Sequence, residues 1–307
     1  MGNRDTELIK EILDLKTRRG AVILAHNYQL GEIQDIADFV GDSLELSQRA
    51  AETSASVIVF CGVHFMAETA SILCPDKVVL LPDVNAGCPM ADMITADRLR
   101  EKKKEHTRAA VVCYINSSAE VKAESDICCT SANAVGIIES LDAQEILFVP
   151  DQYLGLYVSA RTGKEMILWP GFCPTHVRIT PERMEELRQE YPQAKIVVHP
   201  ECRPEVITLA DEVLSTGGMC RYARRGGLRE MIVGTEMGII YRLRKENPGK
   251  RFIPVSEQAI CPNMKSITLE KVLWSLEEMN PEVKVAERIR LGAKAAVDRM
   301  LRIGPKR

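Results

Sequence analysis

The chain of 307 residues is 46% hydrophobic and carries a formal net charge of −3, which is typical of an ordinary globular protein. This charge gives no support for a nucleic-acid partner. Apolar runs such as VIVF at 57–60 are far too short to cross a membrane, and the amino terminus lacks a signal-peptide pattern. We therefore expect a cytoplasmic protein without membrane contact. The hexamer MGNRDT fits the myristoylation pattern at Gly2 only formally, because that pattern is short and common.

The first predicted element is an amphipathic helix, in which Leu8, Ile12 and Leu15 form an apolar stripe that ends at Gly20. A block of alternating strands and helices follows it. The strands of this block are AVILAHN, SVIVFCGV and KVVLLPD, and the first helix-like segment is IQDIADFVGDS. Cys88, followed by proline, comes shortly after the third strand.

Two further blocks repeat this order at matching intervals. Their strands are AAVVCYIN, EILFVPD and EMILWPG in the second block, and KIVVHPE, EMIVGTE and RFIPVSE in the third. The first strands of the three blocks end at His26, Tyr114 and His199. An acid follows 12 residues later, at Asp38, Asp126 and Asp211, and a hydroxyl residue after 17, at Ser43, Ser131 and Thr216. A cysteine followed by proline lies a further 45, 42 and 45 residues on, at Cys88, Cys173 and Cys261.

Strands that alternate with helices predict parallel sheets covered on both faces. The predicted fold class is therefore α/β, with three homologous three-layer α/β/α units around a pseudo-threefold axis. We expect the repeats at 1–107, with the amino-terminal helix, at 108–192 and at 193–280, followed by a helical extension at 281–307. Residues 283–303 read as one amphipathic helix within that extension. Because functional loops lie beyond the carboxyl ends of parallel strands, the three repeated cysteines are predicted to converge on the axis.

The ten cysteines, without an export signal, indicate reduced thiols rather than a disulfide framework. Three converging thiolates suit either of two metal groups. Zinc is one, with His176 as the fourth ligand of a Cys3His site. Structural zinc usually draws its ligands in close pairs, whereas these cysteines lie 85 and 88 residues apart. A 4Fe-4S cluster with one open iron fits the spacing better, and an open iron is a Lewis acid.

Short motifs are spread over most of the chain. They are AHNYQ at 25–29, DFVGDS at 38–43, FMAE at 65–68, CPMAD at 88–92, CTSANAV at 129–135, HPEC at 199–202, STGGM at 215–219 and CPNMK at 261–265. In combination, these motifs closely resemble the quinolinate synthase family, from about Leu15 to Trp274. Some members of that family carry a C-x2-C-x2-C motif near the third ligand, and here Cys261 stands alone.

The resemblance implies a triplicated α/β/α fold around one 4Fe-4S cluster, with three cysteine ligands and one open iron. The implied activity is that of a transferase in NAD biosynthesis. It condenses iminosuccinate with dihydroxyacetone phosphate to quinolinate and releases phosphate and water, with the open iron as Lewis acid. A functional link to the aspartate oxidase or dehydrogenase that supplies iminosuccinate is also implied. The implied ligands are Cys88, Cys173 and Cys261.

The family's substrate positions match residues in equivalent places of the three repeats. The substrate-binding residues are predicted to be His26, Ser43, Tyr114, Ile115, Asn116, Ser131, His199, Pro200, Glu201, Ser215 and Thr216. Hydroxyl groups near helix starts can hold the substrate carboxylates. Glu201, His199 and Tyr28 are predicted to be catalytic, since the reaction requires proton transfer. Alternation along an extended segment would aim His199 and Glu201 to the same side.

Two other function classes remain open from the sequence. One is a different iron-sulfur hydro-lyase, which would share the open iron but leave a triose phosphate site without a purpose. The other is a non-catalytic iron-sulfur or zinc protein that acts as a sensor. Iron and sulfide analysis of the purified protein tests the cluster itself, because a colourless, zinc-loaded protein would exclude open-iron chemistry.

Overall fold

The computed structural model describes residues 3–304, so Gly2 lies outside the described residues. Helix α1 (Asn3–Arg18) is followed by Gly20, whose φ of +58° favours glycine. The predicted stripe faces the core, with Ile12 fully buried. No helix in the described part of the chain is long and apolar enough to span a bilayer.

Each repeat forms one parallel sheet of four strands. The first sheet contains β1 (Ala21–His26), β2 (Phe39–Gly41), β3 (Val57–Cys61) and β4 (Val78–Leu80), in the order β2-β1-β3-β4. The second contains β5 (Ala110–Tyr114), β6 (Ile127–Cys129), β7 (Ile146–Val149) and β8 (Ile167–Leu168), in the order β6-β5-β7-β8. The third contains β9 (Lys195–Val198), β10 (Glu212–Val213), β11 (Glu230–Gly234) and β12 (Arg251–Pro254), in the order β10-β9-β11-β12. The identical order confirms the predicted α/β class with three homologous units.

Helices alternate with these strands in all three repeats. The first repeat adds α2 (Gly31–Ile36), α3 (Ser43–Glu52), α4 (His64–Leu73) and α5 (Ala96–Glu105). The second adds α6 (Ala119–Ala123), α7 (Ala134–Ser140), α8 (Gln152–Thr162) and α9 (Pro181–Glu190). The third adds α10 (Pro204–Thr208), α11 (Thr216–Ala223), α12 (Ile239–Glu246) and α13 (Leu269–Glu278). The largest buried apolar cluster contains residues of all three repeats, so the units share a core.

One prediction was wrong in the same way in each repeat. The segment after the first strand reads as a single helix in the sequence, but it is a short helix followed by an edge strand, β2, β6 or β10. These edge strands have two or three residues. A strand that short has too few alternating positions to be distinguished from a helix by its apolar pattern.

The repeated aspartates have a structural role that the sequence left unassigned. The carboxylate of Asp38 accepts a hydrogen bond from the backbone N–H of Ile23 at 2.8 Å, and its own N–H donates to the same residue's carbonyl at 2.9 Å. Asp126 and Asp211 make the same pair of bonds with Val111 and Ile196. Each acid therefore fastens the loop before an edge strand to the central strand of its sheet.

The carboxyl-terminal segment closes over the first two repeats. Residues 281–283 run along β4, where the N–H of Leu81 donates to Pro281 and the N–H of Val283 donates to Val79. Helix α14 (Glu287–Leu301) is shorter than the predicted 283–303, because Val283 is held in this edge contact and the chain is still extended at Ala286. It packs on α6, where a side chain at Gly292 would meet Ala123. We retain the predicted unit limits as a proposal, since each falls in a connection between elements.

Candidate active site

An enclosed cavity lies where the carboxyl ends of the three sheets meet. Most of the predicted site residues line it: His26, Tyr28, Ser43, Cys88, Tyr114, Asn116, Ser131, Cys173, His199, Glu201, Thr216 and Cys261. The strands explain this, because His26 and Tyr114 end β1 and β5, and His199 follows β9 directly. The cavity encloses about 70 Å³.

The three repeated cysteines occupy equivalent turns. Cys88, Cys173 and Cys261 each precede a 3-10 helix, at Ala91–Met93, His176–Arg178 and Met264–Ser266. Each sulfur accepts hydrogen bonds from the backbone N–H groups two and three residues further on. Such N–H groups favour a thiolate, and thiolate is the form that binds metal.

Burial opposes the charged form of these thiols. It raises the pKa of Cys88 to about 12, and it also raises the pKa values of Cys173 and Cys261. Neighbouring negative groups contribute, since Cys88 faces Cys261 and Cys173 faces Glu201. Three buried thiolates therefore require a positive charge among them.

Glu201 forms the centre of a hydrogen-bond network that joins the second and third repeats. Tyr114 donates its phenol hydrogen to Oε1 of Glu201, and Nδ1 of His176 lies 2.9 Å from Oε2. The His199 ring stacks on that of His176, with centroids 4.8 Å apart. Nε2 of His199 lies 3.2 Å from the hydroxyl oxygen of Ser131.

This network separates the protonation states of its members. Burial alone would raise the pKa of Glu201, but the imidazoles of His176 and His199 and the hydrogen bonds from His176 and Tyr114 lower it overall. Burial lowers the pKa of His199 to about 3. Burial and the negative charge of Glu201 raise the pKa values of Tyr28 and Tyr114 well above 10. At neutral pH Glu201 is therefore ionised, His199 is neutral, and Tyr28 and Tyr114 keep their phenol protons.

Thr235 joins the first repeat to this network. Its hydroxyl oxygen lies 2.5 Å from the Tyr28 phenol oxygen and 2.8 Å from Nε2 of His176. The Tyr28 ring also packs edge-on against His26, with centroids 4.6 Å apart. Thr235 and His176, from the third and second repeats, therefore hold the Tyr28 hydroxyl, while His26 contacts its ring.

Two helix amino termini face the cavity from different repeats. Ser43 begins α3 and Thr216 begins α11. Asp42 caps α3 and Ser215 caps α11. The Ser215 hydroxyl also donates a hydrogen bond to Asp42 at 3.0 Å, which joins the two helix starts. A Cβ at Gly217 would lie 2.6 Å from the Asp42 carboxylate, so glycine allows this close approach. The two helix dipoles thus present positive ends side by side, an arrangement suited to anions.

Three of the predicted substrate residues do not line the cavity. Ile115 is buried, and its N–H donates to Cys129. Pro200 lies between His199 and Glu201 without lining the cavity. The Ser215 side chain is engaged as the cap described above. Contact of these three residues with substrate stays a prediction.

The expected reason for the pairing of His199 and Glu201 was wrong. Strand β9 ends at Val198, so the two residues do not alternate along an extended segment. A turn follows instead, in which the N–H of Cys202 donates to the His199 carbonyl and the N–H of Glu201 donates to Nδ1 of His199. The turn brings the two side chains together, with Nδ1 and Oε1 4.0 Å apart.

Several residues at or behind the cavity wall carry no signal that the sequence prediction used. The sequence indicates His176 only as a zinc ligand, whereas in the structure it contacts Glu201, Thr235 and Cys173. Thr235 and Glu236 directly follow β11. Their position at the carboxyl end of a strand, like that of His26 and His199, could have identified them from the sequence. Cys173, His176 and Glu201 also form a group that could hold a metal ion, with ligand atoms within 4.8 Å of one another.

A wider groove of about 1190 Å³ lies at the opposite edge of the third sheet. Lys195, Glu230 and Arg251, which begin β9, β11 and β12, line it, and none of the predicted site residues does. Loops at the amino ends of parallel strands rarely carry catalytic groups. The inner cavity is therefore the candidate active site.

Comparison with known proteins gives one consistent result. Residues 10–302 match the family model described as quinolinate synthetase A protein. A quinolinate synthase of Dehalococcoides mccartyi strain CBDB1 is 65% identical over 97% of this chain and 99% of its own length. Proteins of the same name from Methanosarcina barkeri and Geobacter sp. strain M21 are 55% and 56% identical, over 98% and 96% of this chain and 99% and 97% of their own lengths.

Proposed function

The chain belongs to the quinolinate synthetase A protein family, and we propose that it condenses iminosuccinate with dihydroxyacetone phosphate to quinolinate, releasing phosphate and water. Membership of this family supports a role in NAD biosynthesis. We propose a transferase that depends on iron and sulfur and acts in the cytoplasm. An aspartate oxidase or dehydrogenase would supply the iminosuccinate.

The observation that carries this proposal is the convergence of three repeats on one cavity. Each repeat contributes a cysteine and polar groups from the loops after its strands. The lining residues come from loops, strand ends and helix starts of all three repeats, so no single repeat forms the site by itself.

The donor set fits a 4Fe-4S cluster. Cys88, Cys173 and Cys261 are partly buried, they line the same cavity, and two backbone N–H groups point at each sulfur. Hydrogen bonds to the sulfurs are a common way to tune such a cluster. When bound, a cluster with one open iron would supply a Lewis acid for a substrate oxygen.

The hydroxyl residues suit the carboxylates of the substrate. Among the described residues that line the cavity, none is lysine or arginine. Anion binding then depends on Ser43 and Thr216 at their helix amino termini and on Ser131 from the second repeat. Asn116 has a buried Oδ1 atom without a hydrogen-bond partner in the described structure. Because Oδ1 only accepts hydrogen bonds, it supports a ligand that presents a donor at this wall, not a carboxylate oxygen.

The proton transfers have suitable groups in place. Glu201 is ionised and can take a carbon-bound proton as a general base. Tyr28 and Tyr114 stay protonated and can donate hydrogen bonds to developing negative charge. His199 is neutral, and its ring can pass a proton between its nitrogens.

Anaerobic purification followed by iron and sulfide analysis, together with a quinolinate assay on the two substrates, tests this function. Cys88→Ser, Cys173→Ser and Cys261→Ser should each lose the broad visible absorption of the cluster. Cys74→Ser is the matched control, because Cys74 also precedes a proline but hydrogen-bonds Ala50 away from the cavity. Failure of the cluster-loaded wild type to form quinolinate would reject the proposed activity.

A mononuclear zinc ion is the second candidate for the metal. The group of Cys173, His176 and Glu201 favours it, since its three ligand atoms lie close together. The same purification decides between them, because zinc without sulfide gives a colourless protein. An intact cluster in the Cys173→Ser protein would exclude the cysteine geometry proposed above.

A further inference from the structure

The proposed dicarboxylate substrate enters a cavity whose described lining contains no lysine or arginine. A guanidinium group nevertheless lies just outside this lining and is connected to it by hydrogen bonds. Arg242 lies on α12 of the third repeat, with its side chain 15% exposed. Its Nη1 donates to Oδ1 of Asn27 at 2.6 Å and to the carbonyl of Val40 at 2.7 Å.

Asn27 is fully buried directly after β1, and its side-chain orientation is dictated by Arg242. A guanidinium has only donors, so Asn27 must turn its oxygen toward Arg242. The amide nitrogen then faces the other way, where it donates to the hydroxyl oxygen of Thr216 at 2.8 Å. Because Arg242 can only donate, these hydrogen bonds run in one direction, from Arg242 to Asn27 and from Asn27 to Thr216.

The consequence falls on the Thr216 hydroxyl, which lines the cavity. A hydroxyl has one hydrogen to donate. Within the described residues, the side chain of Thr216 makes only the hydrogen bond that it accepts from Asn27. Its own hydrogen is therefore free to be donated into the cavity. A carboxylate oxygen requires such a donor, because it only accepts hydrogen bonds.

We propose that Arg242 is a positioning residue for the dicarboxylate substrate, acting through Asn27 to hold the Thr216 hydroxyl as a donor. This inference rests on the proposed function. Glu246 accepts from Nε of Arg242 at 2.7 Å and balances part of its charge. The direction of the hydrogen bonds is therefore the main effect of Arg242, and its long-range attraction is the smaller one.

Arg242→Met removes the constraint on the Asn27 amide, which can then rotate and accept the Thr216 hydrogen. We expect the Kd for quinolinate, measured by titration calorimetry, and the KM for iminosuccinate to rise roughly 10-fold, with kcat and the KM for dihydroxyacetone phosphate little changed. Arg242→Lys keeps a cationic donor and should recover most of the affinity. Arg244→Met, on the same helix, is the control, since among the described residues Arg244 donates to the Phe252 carbonyl and not to Asn27.

Asn27→Asp tests the direction of the chain without disturbing its shape. Aspartate can still accept from Arg242, but it has no hydrogen for Thr216, so the threonine hydroxyl turns toward it and away from the cavity. Quinolinate affinity should fall at least as far as in Arg242→Met. The melting temperature of each variant shows whether the fold survives; if Arg242→Met unfolds, Asn27→Asp and Arg242→Lys carry the test.

A double-mutant cycle gives the decisive outcome. Thr216→Val should lose the same affinity as Arg242→Met, and the double variant should lose little more, because both act on one hydrogen. Wild-type affinity in a folded Arg242→Met, or losses that add in full, would overturn the inference while leaving quinolinate synthesis intact. A wild type that neither binds nor forms quinolinate would instead reject the proposed function and the inference with it.

Discussion

Gly238 provides a test of how tightly the first and third repeats must fit at the cavity. It precedes α12, and its φ of −59° suits any residue, so alanine introduces no backbone strain. The cost of Gly238→Ala is steric, because the new Cβ would lie 2.6 Å from the Tyr28 carbonyl carbon and 2.6 Å from Nζ of Lys265. Lys265 can move its side-chain end, whereas Tyr28 presents its main chain.

The displacement can be read from these distances. Real Cβ contacts essentially never fall below 3.0 Å, and ordinary contact begins at 3.4 Å. The carbonyl carbon alone requires a shift of about 0.4 to 0.8 Å, and the carbonyl oxygen of Tyr28 lies closer still to the new Cβ, so the Tyr28 backbone must shift by more than this. Overpacking of this kind costs about 1–3 kcal/mol, which corresponds to a fall in Tm of roughly 2–10 °C. Since misplacement by about 1 Å can cost on the order of 100-fold in rate, we expect quinolinate formation to fall by roughly 10- to 100-fold.

The assay compares Tm and quinolinate formation in cluster-loaded Gly238→Ala and Gly226→Ala. Gly226 is the matched control, because a Cβ there meets nothing within 4 Å. Near wild-type rate and Tm in Gly238→Ala would refute the close fit. Equal losses in both variants would show that the effect is not specific to the Tyr28 contact.

Three further predictions concern the carboxylate, the buried histidine and the cluster. Glu201→Gln should retain the cluster and still bind quinolinate but lose on the order of 100-fold or more in turnover, whereas exposed Glu205→Gln should not; normal turnover would remove Glu201 from the proposed mechanism. Burial and His199 lower the pKa of His26 from 6.5 to about 3, so the folded state binds fewer protons than the unfolded state and stability falls as the pH drops below 6.5. Between pH 7 and pH 5 the neutral His26 therefore lowers the free energy of unfolding by about 2 kcal/mol. In urea unfolding, the free energy of unfolding of His26→Gln should depend less on pH than that of the wild type. Equal pH dependence in the two proteins would contradict a buried, neutral His26. Activity should decay in air and return after anaerobic treatment with iron and sulfide, and full activity of an aerated, cluster-free protein would contradict the open iron.

The sequence by itself determined the α/β class and the threefold repetition. Parallel sheets bury both faces, so each central strand leaves a nearly continuous apolar run, and equal spacing of Asp38, Asp126 and Asp211 reveals the repeat. The position of residues after strand ends also predicted most of the cavity lining, since the carboxyl ends of parallel strands share one edge. The two- and three-residue edge strands were missed because periodicity cannot be read over so few positions.

Only the tertiary structure decided which of these residues contact one another. The hydrogen bonds of Glu201 to Tyr114 and His176 cross from one repeat to another, over sequence separations that no local pattern records. The hydrogen bonds between Thr235 and Tyr28 and between Arg242 and Asn27 are of the same kind. In both, a side chain of the third repeat orients a residue of the first. Composition and spacing determine which elements form and where their ends lie, but the direction of a buried hydrogen bond depends on partners that folding brings together.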